Sequence, residues 1–292
     1  MNNKVKNSIR DVGDSLAYAV TATAQSIVSL IRICLLSSFR TALKSKRYID
    51  YRLSDNCYVL GNGPSLKDVL LNGEIGTGEG DLFCVNMFCT SEYFWKLKPR
   101  FYLLCDGEYF NPSTERTKTF VEELIKTFNK VDWQLFLIIP PSIPNNCHLL
   151  SYIDNPSVNI LRNNSAEVSG FKWFRHLFYQ ARLGMPRCQT VINYALMTAI
   201  NMRYNNVFLY GAEHSWTKNM WVGDDNKLYT GDPHLYDSGN NMVPLPNGIS
   251  VECSYLSMAF RAHELIRSYS DSINVKIVNK TKGSFIDAYE RD

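Results

Sequence analysis

None of the eight cysteines, at 34, 57, 84, 89, 105, 147, 188 and 253, stands in a CxxC pair. That scatter suggests neither a zinc site nor a disulfide frame. Cys57, Cys84 and Cys105 fall inside apolar runs, which predicts reduced, mostly buried thiols in a cytoplasmic protein. Excess charge is scarce too: 31 Lys and Arg against 28 Asp and Glu leave +3, too little to argue for nucleic acid. There is no GK[ST], hence no P-loop, and Leu66 stands where a third glycine would complete a dinucleotide fingerprint. The basic start lacks an uninterrupted apolar core followed by small residues, so no cleavable signal peptide is read. Proline is absent from Val5 to Lys46, and Gly13 is the only glycine there.

That breaker-free stretch carries apolar residues at helical spacing: Ile9, Val12, Leu16, Val20, Ile27, Ile31, Leu35, Phe39 and Leu43. It predicts an amphipathic helix over residues 1–48. Its densest part, Ser26–Phe39, holds Arg32 and is too short and charged to predict a membrane span. Basic residues cluster at both ends: Lys4, Lys6 and Arg10, then Arg40, Lys44, Lys46 and Arg47. The helix therefore suits either a peripheral place on an anionic membrane surface or packing against protein, including a second copy in a homo-oligomer.

The body, expected over 54–292, is organised around Cys57–Lys67, CYVLGNGPSLK. A short apolar strand stops at Gly61-Asn62-Gly63, and Pro64 suits the first position of a helix. Strand, glycine turn and helix start is one way α/β proteins offer backbone N–H groups to phosphate. Gly61 and Gly63 would bring the backbone close to a ligand; Asn62 and Ser65 would add side-chain hydrogen bonds. An ordinary strand-to-helix turn is the alternative. Further apolar runs at Asp81–Phe88, Phe101–Asp106, Gln134–Pro140, Asn206–Glu213 and Val275–Val278 alternate with helical segments. This pattern predicts a mainly parallel sheet with both faces covered and ligands beyond its carboxyl ends. Asn86 and Asp106 fall at such ends, though each could be a cap or turn residue. Residues 141–187 read as an inserted lid or subdomain, and Phe285–Tyr289 as a closing helix. The segment 214–247 is polar yet rich in Trp, Tyr and His, which predicts a binding lid. Within it His234 is the leading general base, with an idle solvated side chain as the alternative. Asp224-Asp225 is a weak metal candidate.

The glycine loop, Asn86, Thr190 before a helix, LYGAE, the histidine loop and the terminal strand with its Gly-Ser turn together resemble glycosyltransferase family 42, the small bacterial sialyltransferases. The chain is also similar to the wider group of surface-polysaccharide and hydroxymethylpterin diphosphokinase-like domains. The resemblance runs from about Cys57 to Asp292. It implies a single Rossmann-like domain of the GT-A-variant type with a lid, a CMP-sugar donor, a glycan or glycolipid acceptor and no required metal. It further implies that Gly61, Asn62 and Gly63 meet the donor's phosphate and ribose. Asn86 would hold the sugar or cytidine, Thr190 a carboxylate or phosphate, and Ser284 the nucleotide. Glu213 would close the strand that ends in G-x-D in that family, and His234 would deprotonate the acceptor. A work site at the cytoplasmic face of the inner membrane follows. Departures stand at Asp106 and Val191, where the family carries asparagine and serine, and its tyrosine pair has no clear match.

The expected chemistry is direct displacement. His234 takes the acceptor proton, while Gly63 and Ser65 N–H groups, with a lid donor such as Tyr236 or Lys218, meet the leaving phosphate. Two other readings stay open: a magnesium-dependent pyrophosphoryl transferase centred on Asp106, Asp224 and Asp225, and a non-catalytic nucleotide-binding scaffold.

Overall fold

A computed structural model describes the backbone of residues 3–75, 78–231 and 243–291, with side chains from residue 13 onward. Seven strands form one parallel sheet: β1 Asn56–Leu60, β2 Asp81–Val85, β3 Phe101–Leu103, β4 Leu135–Ile139, β5 Val158–Arg162, β6 Asn206–Tyr210 and β10 Lys276–Asn279. Their order is β10-β6-β1-β2-β3-β4-β5. The chain thus walks outward from β1 to β5, then returns to pair β6 with β1 in register Leu60 to Tyr210. The order reverses between β1 and β6, where α/β sheets open a crevice at their carboxyl ends.

Nine helices occur among the described residues: α1 Asn3–Leu36, α2 Phe39–Ser45, α3 Ser65–Leu71, α4 Glu92–Leu97, α5 Glu115–Phe128, α6 His148–Ser151, α7 Lys172–Gln180, α8 Val191–Asn201 and α9 Ile249–Ser272. Alternate strand residues feed two cores. Val59, Phe83 and Leu209 face α8, α9 and α7. Leu60, Cys84 and Leu137 face α3, α4 and α5. α8 is nearly wholly apolar and buried, which is why it takes the central place beneath the sheet. Its start is set by a capping box: Thr190 Oγ1 accepts from Asn193 N–H, and Asn193 Oδ1 accepts from Thr190 N–H.

Several expectations are revised. Residues 141–187 are no lid. They supply the edge strand β5, and their aromatic run becomes α7, with Phe174 and Tyr179 in the core. Phe285–Tyr289 is not helical. It runs back beside β10 and bridges Glu290 to Val278, pinned by Phe285 N–H on Glu213 O at 2.7 Å. The body starts before Ser54, because Ile33, Ala42 and Tyr48 belong to its core, and Tyr48 Oη donates to Arg162 O at 2.7 Å. Within 214–247 the described residues include a second, smaller sheet. β7 Met220–Val222, β8 Leu228–Thr230 and β9 Val243–Pro244 make a small antiparallel sheet. In its turn the Asp225 carboxylate accepts from Lys227 N–H and Tyr229 Oη, so it closes a hairpin and gives no support to a metal site.

The single helix expected over 1–48 is broken: α1 ends at Leu36, and Ser38 starts α2, its Oγ accepting from Thr41 N–H. Gly13–Leu36 is 24 residues long, and its most apolar 18-residue stretch has mean hydropathy 1.7, long and apolar enough to cross a membrane by length and composition. One face is nevertheless docked on the body. Ser29 Oγ accepts from Ser169 N–H at 2.9 Å, Arg32 pairs with Glu167 at 2.8 Å, and Ala22 and Ile33 are buried. A spanning helix would have to give up these contacts. The opposite face leaves Leu16, Val20, Ile27, Ile31 and Leu35 exposed, and α7 exposes Trp173 and Leu177.

Candidate active site

Two turns meet above the switch point. The turn after β1 is Gly61-Asn62-Gly63; the turn after β6 is Gly211-Ala212-Glu213. Gly61 N–H donates to Tyr210 O at 2.8 Å, and Gly63 N–H donates to Gly211 O at 2.9 Å. A Cβ on Gly61 would lie 2.2 Å from Gly211 O. Gly211 itself has φ +63°, the left-handed region that favours glycine. The space beside Gly63 is filled by Glu213, whose Oε2 would sit 1.5 Å from an added Cβ. Glu213 Oε1 then accepts from Ser65 N–H at 2.8 Å, at the start of α3.

This corrects the phosphate cradle expected of the loop. The Gly63 and Ser65 N–H groups are already paired, one with a carbonyl and one with a carboxylate. Gly61 is required by the close approach of two backbone turns, and Gly63 gives its space to the Glu213 carboxylate. The anion at the start of α3 is the protein's own.

Around these turns lies a cavity of about 690 Å³, within the usual range for small-molecule sites. Asn62, Gly63, Asn86, Asp106, Thr190 and Glu213 all line it, so the fold brings six of the sequence-chosen residues, and Gly61 with them, to one place. Two others are elsewhere. Ser65 is not part of the lining. Ser284 is buried, donating to Ala212 O at 2.8 Å and accepting from Asn279 Nδ2 at 3.1 Å and Ile286 N–H at 3.2 Å, so it is spent on the turn. His234 and Tyr236 lie outside the described residues. Lys218 places its ammonium over the Phe285 ring at 4.8 Å.

The lining is rich in acceptors. Asn62 Nδ2 donates to Val85 O at 3.1 Å, which fixes its amide orientation and leaves Oδ1 buried without a partner. Asn86 is held at φ +50°, a conformation asparagine tolerates, by Tyr102 Oη donating to its carbonyl. Its Oδ1 is likewise buried and unpartnered, as is Ser65 Oγ. Asp106 caps a short helical turn, accepting from Glu108 N–H at 3.0 Å. Among the described lining residues there are two carboxylates, Asp106 and Glu213, and no Lys or Arg.

A histidine pair completes the wall. His214 lines the cavity with Trp216, the two rings stacked at 4.3 Å and 25°. His214 Nδ1 is 3.3 Å from His263 Nε2, and His263 Nδ1 is 2.9 Å from Tyr289 Oη. Burial pushes the His214 ring down from 6.5 to about 3. Burial, with His214 as a lesser cause, holds His263 well below 6.5. Reading α9 alone, His263 is an ordinary helix histidine, and His214 is lost among the lid's polar residues. The available signals were GAE followed directly by HSW, and the Thr-x-x-Asn box that aims Asn193.

The chain matches no protein-family model and no curated protein sequence. Among solved structures it is similar to one described as the MAf glycosyltransferase from Magnetospirillum magneticum AMB-1, at 10% identity and a TM-score of 0.45, over 82% of this chain and 34% of that one. The chain thus spans about a third of that protein's length.

Two predictions follow from this geometry. Gly61→Ala meets backbone rather than a movable side chain, and is expected to lower the urea midpoint by the equivalent of about 1–3 kcal/mol. Gly63→Ala meets only the end of Glu213, so its smaller loss is that of the Ser65 N–H cap the carboxylate gives up; Glu213→Ala should lower the urea midpoint similarly, and the double variant little further. The second concerns pH. Both histidines fold neutral, with values below the unfolded 6.5, so the unfolded chain binds more protons as pH falls below 6.5. Stability should therefore fall from pH 6.5 toward 3, by up to about 1.4 kcal/mol per pH unit for each ring. Urea unfolding between pH 7.5 and 5 should show a shallower decline in His263→Gln than in the parent.

Proposed function

We propose that this protein is an inverting glycosyltransferase, moving a sugar from a nucleotide donor to a hydroxyl of a bacterial surface glycan or glycolipid. A CMP-linked acidic sugar such as sialic acid is the first donor to test. The observation that carries the reading is the partnerless Asn62 Oδ1 beside a cavity at the sheet's switch point. A buried acceptor costs free energy until a donor reaches it, and hydroxyls and amines of a sugar or nucleoside are such donors. Phosphate offers none. The donor's ribose or base accordingly faces Asn62 and Asn86. Its phosphate faces the start of α8, where Val191 and Ile192 line the same cavity and a helix leaves its first N–H groups without intrahelical acceptors.

In this mechanism His234 removes the proton of the acceptor hydroxyl as that oxygen attacks the anomeric carbon. The bond from that carbon to the phosphate oxygen breaks, and Tyr236 supports the departing charge from the lid. Thermal shift against CMP, UDP, GDP and ATP tests the donor. CMP should raise the melting temperature through binding to the folded form alone, and no shift with any of the four contradicts the reading. His234→Ala should fold normally and lose about a hundred- to ten-thousand-fold in transfer rate; an unchanged rate removes the base assignment.

One observation favours a second reading. The lining's two carboxylates without a Lys or Arg suit a bound cation, as a pyrophosphoryl transferase would use. Loss of activity in EDTA favours it; full activity in EDTA favours the glycosyltransferase.

For α1 we propose peripheral attachment to the cytoplasmic face of the membrane through its exposed apolar stripe, with Trp173 beside it and exposed Arg40, Lys44 and Arg47 meeting anionic lipid. The full chain should float with phosphatidylserine vesicles, and the triple variant Leu16→Asp, Ile27→Asp, Ile31→Asp should not. Equal flotation of the two ends the idea.

A further inference from the structure

The polarity of the buried chain behind the cavity can be worked out from one end. A backbone N–H can only donate, so Asn193 Oδ1, 3.3 Å from Thr190 N, is the acceptor. Asn193 Nδ2 is then the donor to His263 Nε2 at 3.2 Å. That nitrogen therefore carries a lone pair, and the proton of the neutral His263 ring sits on Nδ1, donating to Tyr289 Oη. His214 Nδ1 lies 3.3 Å from the same nitrogen, where two facing lone pairs would repel, so Nδ1 carries the proton and the His263 lone pair is shared between two donors. The proton of His214 is on Nδ1, and its Nε2 is bare.

His214 lines the cavity and its Nδ1 is engaged by His263, so Nε2 is the ring nitrogen left for a ligand. The ring is held on its face by Trp216 and at its edge by Phe260, 6.2 Å away at 75°. Its backbone sits at φ +49°, an uncommon conformation retained beside the cavity, and the turn before it is pinned by Ala212 N–H on Thr281 Oγ1 at 3.1 Å.

We propose that His214 is a ligand-recognising residue of this cavity: a neutral imidazole locked as the Nδ1–H tautomer by the Thr190–Asn193–His263 chain, whose Nε2 accepts a hydrogen bond from a hydroxyl or amine of the bound molecule. This deepens the proposed function and rests on it only for the identity of the ligand. His214 and His234 divide the labour. A ring that burial keeps uncharged makes a steady acceptor and a poor proton store, whereas a general base must take up a proton.

The test uses the full chain. Long-range ¹⁵N–¹H correlation at pH 7 should show His214 and His263 protonated at Nδ1 and bare at Nε2. Carbethoxylation by diethyl pyrocarbonate, mapped by mass spectrometry, should modify His214 and spare His263. A His214 ring protonated at Nε2, or one as resistant as His263, overturns the proposal. For whichever of CMP, UDP, GDP and ATP binds, His214→Phe should weaken binding about tenfold or more, and His214→Gln, whose amide oxygen can stand near Nε2, should recover most of it. Equal loss in both variants overturns the recognition role. If none of the four binds, the donor reading fails while the first two measurements still decide the histidine.

Discussion

Everything at the carboxyl edge of the sheet depends on the contact between the turns after β1 and β6. Two backbones pass so closely that side chains at 61 and 211 have no room, and Gly63 gives its space to a carboxylate. Glu213 thereby caps α3 from the neighbouring turn, at the end of a helix that favours negative charge. That one arrangement spaces β1 from β6, places α3, and decides which polar groups remain free for a ligand. It also carries the next residue, His214, into the cavity wall.

The consequence is a site whose polarity is the reverse of a phosphate loop at its glycine end. The lining groups there are oxygens: the unpartnered amide oxygens of Asn62 and Asn86, and the carboxylates of Asp106 and Glu213, each with one oxygen already held by a backbone N–H. Val191 and Ile192, at the start of α8, line the same cavity, and a helix leaves its first N–H groups without intrahelical acceptors. In the proposed function the donor's hydroxyls or amines meet these oxygens and its phosphate meets the start of α8. His214 adds one more acceptor, with its proton turned away from the ligand by a chain that begins at the cap of α8.

The sheet was legible because its strands are short apolar runs ended by Gly, Asn or Asp, and parallel strands buried on both faces read that way. β5 escaped because an edge strand, here half-exposed with Asn159 and Arg162, lacks that continuous run. The aromatic helix α7 was masked by the prolines before it. The convergence of Asn62, Asn86, Asp106 and Glu213 was legible from strand ends, whereas Thr190, at the cap of α8, came with the family resemblance. The meaning of the glycines was not. A glycine that admits a ligand and one that admits another turn look alike until the partner at Gly211 is known. The histidine pair was hidden for a related reason: His214 and His263 are 49 residues apart and meet only through tertiary packing.

The most direct measurement is the structure of the protein crystallised with CMP. This account predicts donor atoms of the nucleoside within hydrogen-bond distance of Asn62 Oδ1 and His214 Nε2, the phosphate at the first turn of α8, and Glu213 still on Ser65 N–H. A phosphate that displaces Glu213 and sits on the Gly63–Ser65 turn, or a nucleotide bound away from this cavity, would contradict it.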